Sequence, residues 1–170
     1  WGALANDGEL RENVDAGEAS AASATTWEAV GDPTEVSLIV AARKVKADRK
    51  YANYTRVGEI PFTSDRKRMA VVAQDNADAG RLTVFAKGAP DVLLGYCSRI
   101  AVNGAVRPMT QGDRQQILAA VERLSAEAYR TLGQAYRPLA QHRSPTCRRA
   151  HQRGGMWPTS PTKAMCWKAT

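Results

Sequence analysis

"RMAVVAQDNADAGRLTVFAKGAP", residues 68–90, decides the fold. "RMAVVAQD" and "RLTVFAK" are strand-sized runs separated by "DNADAG", a cluster of turn-forming residues. Two such runs joined by a short turn pair as antiparallel neighbours. A third run, "YTRVGEIPF" (54–62), precedes them, so a three-strand meander is expected. The last run ends on a single lysine, Lys87, followed by Gly88, Ala89 and Pro90. The small residues leave room for a close approach to the backbone. Pro90 and Asp91 then read as a helix start. Taken alone, the stretch is a strand-to-helix turn with one solvated lysine.

Upstream, "VDAGEASAASATT" (14–26) is small and polar, a loop by composition. In "GDPTEVSLIVAARK" (31–44), Asp32 suits a helix cap and Pro33 its first position, while Glu35 falls three residues after the cap as in a capping box. Val36, Leu38, Ile39, Val40 and Ala41 are apolar nearly all round, which predicts a mostly buried helix. Downstream, the Asn103-Gly104 pair in "RIAVNGAVRPM" is a strong hairpin signal. Thr110 caps a helix over 110–129 whose Ile117, Val121 and Leu124 share a face, and "RTLGQAYRPL" (130–139) reads as a final strand. Helix, three strands, helix, hairpin, helix and strand predict an α+β fold, an antiparallel β-sheet flanked by helices.

A chain of 170 residues suffices for one domain with a real core. The formal charge of +7 is unevenly placed. Residues 1–140 carry 18 Lys+Arg against 17 Asp+Glu, whereas residues 141–170 carry 6 Lys+Arg and no acid. The nearly neutral main part lacks a basic stripe interleaved with aromatics, which argues against a nucleic-acid partner. The segment 141–170 holds no Leu, Ile, Val, Phe or Tyr, but both histidines and two of the three cysteines. It reads as an atypical basic tail, disordered or translated from a shifted frame, beside a domain at 1–140. Cys97, Cys147 and Cys166 form neither a zinc pattern nor a disulfide framework, so no metal site is expected. No apolar run approaches the roughly 18 residues needed to span a bilayer, and no direct membrane contact is expected. "WGALANDGELRE" (1–12) reads like the end of a helix already under way, as in an excised piece of something longer.

The chain contains no GxxxxGK[ST], GxGxxG or HExxH, and its two histidines both lie in the tail, so a Ser/His/Asp arrangement is not plausible. No catalytic residue is assigned. What remains is an ordered set: "NDGEL" (6–10), "GDPTE" (31–35), "PFTSDRKRM" (61–69), "KGAP" (87–90) and "YRTLGQAYR" (129–137). Singly, each has an ordinary explanation as a cap, a core aromatic, a solvated charge run or a surface strand residue. Together they resemble the nucleotide-binding domain of P-type cation-transporting ATPases, in the branch that contains calcium pumps and sodium/potassium pumps. The resemblance covers residues 1–140.

That resemblance implies an ATP pocket. Lys87 and Gly88 of "KGAP" would line it, and Phe62 would stack on the adenine ring. Glu35 would accept a hydrogen bond from the exocyclic amine of adenine. Lys67 and Arg130 would meet the sugar-phosphate end, where positive charge offsets phosphate. Some family members carry arginine where this chain has Ser64. The implied role is that of a cytosolic carrier, which binds ATP, with Mg²⁺ in the full pump. It delivers the γ-phosphate to an aspartate in a DKTGT motif on a separate phosphorylation domain, next to an actuator domain. Neither DKTGT nor the actuator's TGE occurs here, so no turnover is expected of this chain alone. The alternatives are a truncated, non-functional remnant of such a pump and a basic nucleic-acid-binding protein. The transported ion is not encoded in these residues.

Overall fold

The computed structural model describes residues 2–13, 26–47, 52–78, 80–139 and 165–168. The expected meander is present: β3 (Tyr54–Thr63), β4 (Arg68–Asp75) and β5 (Arg81–Gly88) are successive antiparallel neighbours. Gly80 closes the β4–β5 turn with φ 71°, a left-handed conformation that glycine adopts without strain. After β5 come a short helix α2 (Pro90–Leu94), the hairpin β6 (Cys97–Val102) and β7 (Ala105–Pro108), α3 (Gln111–Ala126) and β8 (Gly133–Pro138). Asn103 and Gly104 form the two-residue hairpin turn with φ 49° and 81°, as their sequence predicts. Thr110 caps α3 and forms a reciprocal capping box with Asp113. Hydrogen bonds from Arg107 and Thr110 hold the Asp113 carboxyl well below its ordinary range.

Among the described residues the main sheet has seven strands in the order β3-β4-β5-β8-β9-β6-β7. Strand β9 (Met165–Lys168) pairs antiparallel with β8 and parallel with β6, the one parallel pairing in a sheet otherwise antiparallel throughout. These four residues fall in the segment expected to stand apart from the domain, and they belong to its sheet instead. Backbone ladders need no apolar composition, so an apolar count does not detect such a strand. The remainder of the expected tail, residues 141–164 and 169–170, lies outside the described residues. A separate pair, β1 (Glu9–Asn13) with β2 (Thr26–Val30), replaces the expected end of a helix at residues 9–12.

Strand alternation gives the sheet two packed faces. Met69, Val71, Ala73 and Phe85 pack with Ala5 on one face, with the Tyr54 ring edge-on to Phe85 at 5.5 Å. Ala86 and Ala135 pack with Leu93, Leu94, Cys97 and Ile100 on the other, under Ile117 of α3. Helix α1 (Pro33–Lys44) starts as expected, with Asp32 Oδ1 accepting from the Thr34 N–H at 2.8 Å. It is less buried than its apolar run predicts. Val36 is its one buried residue, and Leu38, Ile39 and Val40 are half-covered. No helix among the described residues is long and apolar enough to cross a membrane.

Candidate nucleotide site

Lys87 lies two residues beyond Phe85, so strand alternation turns it to the same face, opposite Met69 across the β4–β5 ladder. Its side chain is only 8% exposed, an environment that an unpaired ammonium does not tolerate. The partner is Glu35 of α1, whose Oε1 lies 2.6 Å from Nζ. The second carboxylate oxygen, Oε2, accepts from the Asp7 N–H at 3.2 Å. Glu35 is therefore not the capping-box carboxylate that its position three residues after Asp32 predicts. Its side chain turns away from its own helix end because a buried cation 52 residues downstream needs a counter-charge.

Gly88 is crowded by the chain itself. A Cβ there would sit 2.4 Å from the Lys67 carbonyl oxygen and 2.7 Å from Arg68 Cα, both backbone atoms. The Ala89 N–H donates to that same carbonyl at 2.9 Å. The small residues after Lys87 thus admit the β3–β4 turn, which crosses directly over them. Lys67 occupies that turn with φ 50° and its side chain in solvent.

A cleft of about 240 Å³ opens over the ion pair. Its walls bring together Glu35, Phe62, Lys87, Gly88 and Arg130, five of the six residues singled out in the sequence. Lys67 is not among them. Phe62 presents its ring to the opening and is 57% exposed, so it is not the core aromatic of the ordinary reading. Asp32, Thr34, Met69 and Leu132 complete the wall. Met69 was recoverable from the strand register opposite Lys87, and Asp32 and Thr34 from their place one helical turn before or beside Glu35. Leu132 carried no sequence signal. The Thr34 hydroxyl and N–H hold the Asp32 carboxyl below its ordinary range, and the Arg130 charge adds to that pull. Among the described residues no group of three His, Cys, Asp or Glu side chains is placed to hold a metal ion.

The cleft therefore offers a flat aromatic face, a fixed carboxylate acceptor, a buried lysine and an exposed arginine around one small volume. The family model described as P-type ATPase, cytoplasmic domain N, matches residues 1–165. Calcium-transporting ATPase 1 of Bacillus cereus is 39% identical over 104 residues, covering 60% of this chain and 11% of that protein. Probable cation-transporting ATPase F of Mycobacterium tuberculosis is 37% identical over 111 residues, covering 64% of this chain and 12% of that protein. A sodium/potassium exporting P-type ATPase of Schizosaccharomyces pombe is 40% identical over 109 residues, covering 62% and 10%. The chain thus spans about a tenth of the length of these relatives. With its meander, its cleft and a family match over nearly its whole length, this chain belongs to the P-type ATPases, as their cytoplasmic domain N.

Proposed function

We propose that this chain is the cytosolic, ATP-holding part of a cation pump of the calcium-transporting kind. It binds the adenosine end of ATP and presents the γ-phosphate to an aspartate on a separate phosphorylation domain. The observation that carries this reading is the gathering of Glu35, Phe62, Lys87, Gly88 and Arg130 around one cleft. The half-exposed Phe62 ring supplies a stacking face that any base can use. Glu35 keeps acceptor capacity beyond its bonds to Lys87 and Asp7, because a carboxylate offers about four lone-pair sites. That capacity fits the exocyclic amine of adenine. Lys87 holds one carboxylate oxygen in place, and Arg130 supplies a positive charge for the phosphates. Lys67, on its exposed turn, meets the phosphate end only from outside the cleft. Mg²⁺ bound with ATP in a full pump would supply charge neutralisation of the triphosphate, and none of the cleft residues is assigned to hold it.

The test is a titration of the purified 170-residue chain with ATP and Mg²⁺, followed by calorimetry and by phosphate release. Saturable binding without phosphate release is expected. Absence of binding would support the reading as a non-functional remnant, and steady turnover or a stoichiometric acyl-phosphate would overturn the carrier role.

A further inference from the structure

The segment Asn6-Asp7-Gly8 touches Glu35 at three places, and the cleft does not include it. Asn6 Nδ2 donates to the Glu35 carbonyl oxygen at 2.8 Å. The Asp7 N–H donates to Glu35 Oε2 at 3.2 Å. Gly8 lies so close that a Cβ on it would sit 3.1 Å from Glu35 Cβ and 3.2 Å from the Val36 nitrogen. Asn6 also shapes its own loop, because its Oδ1 accepts from the Gly8 N–H at 2.8 Å. From outside, Arg56 of β3 braces the loop by donating to Asp7 Oδ1 at 2.8 Å and to the Asn6 carbonyl at 3.3 Å.

We propose that Asn6 is a positioning residue for base recognition: it locks the Asn6–Gly8 loop onto α1 so that the Asp7 N–H fixes the Glu35 carboxylate facing the base. The proposal rests on the reading of the cleft as an adenine site. A glutamate side chain has freedom about three bonds, and Lys87 alone restrains one oxygen. The second restraint comes through the loop. With both oxygens placed, the carboxylate meets an amine donor favourably and opposes a carbonyl oxygen in the same position. Adenine carries the amine there and hypoxanthine the carbonyl, so the ratio of ITP to ATP dissociation constants reads out the orientation of Glu35.

The wild-type chain is expected to favour ATP over ITP. Asn6→Ala should narrow that preference by about three- to tenfold, the worth of one hydrogen bond, through weaker ATP binding and equal or tighter ITP binding. A merely structural residue would weaken both nucleotides alike and leave the ratio intact. Arg56→Ala acts on the same loop from the far side of the cleft wall, through a side chain one-third exposed, and should narrow the ratio in the same direction by less. If the wild type discriminates and neither variant shifts the ratio, the positioning role is wrong and the site stands. If the wild type binds ATP and ITP equally, or binds neither, the adenine reading fails and the positioning role fails with it.

Discussion

Two concavities lie side by side in this molecule and share Arg130 and Leu132. The larger, about 410 Å³, runs between α1 and α3 and is walled chiefly by Leu38, Ile117, Val121 and Leu124. The smaller, about 240 Å³, holds the Lys87–Glu35 pair, Asp32 and the Phe62 ring. Volume alone would choose the first. Chemistry chooses the second, because recognition needs fixed polar groups beside an apolar face, and there a buried ion pair stands next to a half-exposed aromatic ring. The difference teaches that the demanding structure is concentrated where a charge is buried, not where space is greatest.

The largest way to break this contrast is to remove one half of the ion pair. Lys87→Met should cost about 3 kcal/mol of stability, because it leaves the mostly buried Glu35 carboxylate without its cation. Urea denaturation reads this loss. Restoring much of it with the second change Glu35→Gln would show that the unpaired charge, rather than lost packing, is the cause. A loss below about 1 kcal/mol for Lys87→Met would mean that water enters the cleft and screens the pair.

Next in size is Gly88→Ala. The added carbon meets backbone at 2.4 Å, and backbone cannot rotate aside as a flexible side chain does. The β3–β4 turn must shift, at about 2 kcal/mol, the middle of the range for overpacked sites. An unchanged melting temperature would show that the turn is not held against β5. The same variant should also weaken ATP binding, since the displaced turn lies next to Phe62.

The smallest effect sharpens the comparison directly. Phe62→Ala should weaken ATP binding by about 1.4 kcal/mol, a tenfold change, with little effect on folding because the ring is already 57% exposed. Leu124→Ala, in the larger groove, should leave ATP affinity within about twofold. Calorimetry on the two variants in parallel decides the matter. Equal effects, or a reversal, would make the larger groove the nucleotide site.

What the sequence made legible was local. The β4–β5 turn, the Asn103-Gly104 hairpin and the Asp32 and Thr110 caps are set by residues within a few positions of one another. The β1–β2 pair was not legible, because Glu9–Asn13 is mostly polar and shows no alternation of a half-buried strand. Its surroundings instead include Trp27 of β2, whose ring lies 4.5 Å under the Arg43 guanidinium of α1. Strand β9 was not legible for a different reason: four residues are too few to show alternation, and the segment around them holds no Leu, Ile, Val, Phe or Tyr. At the site, the bottom-up reading saw Lys87 as a solvated strand end, and only the family resemblance turned it inward. The ion pair spans 52 residues, a separation that no local pattern encodes. The same resemblance placed Lys67 beside the phosphates, whereas the turn that carries it points its side chain to solvent.

The position of β9 bears on how this protein behaves among its own copies. Among the described residues it alone joins β8 to β6, and thereby turns a four-strand ladder and a hairpin into one continuous sheet. Without it, β8 and β6 would each present a row of unpaired N–H and C=O groups, the kind of edge that accepts a strand from another molecule. Four residues at the far end of the chain, from a segment with little apolar content, therefore guard two strands against pairing with the wrong partner.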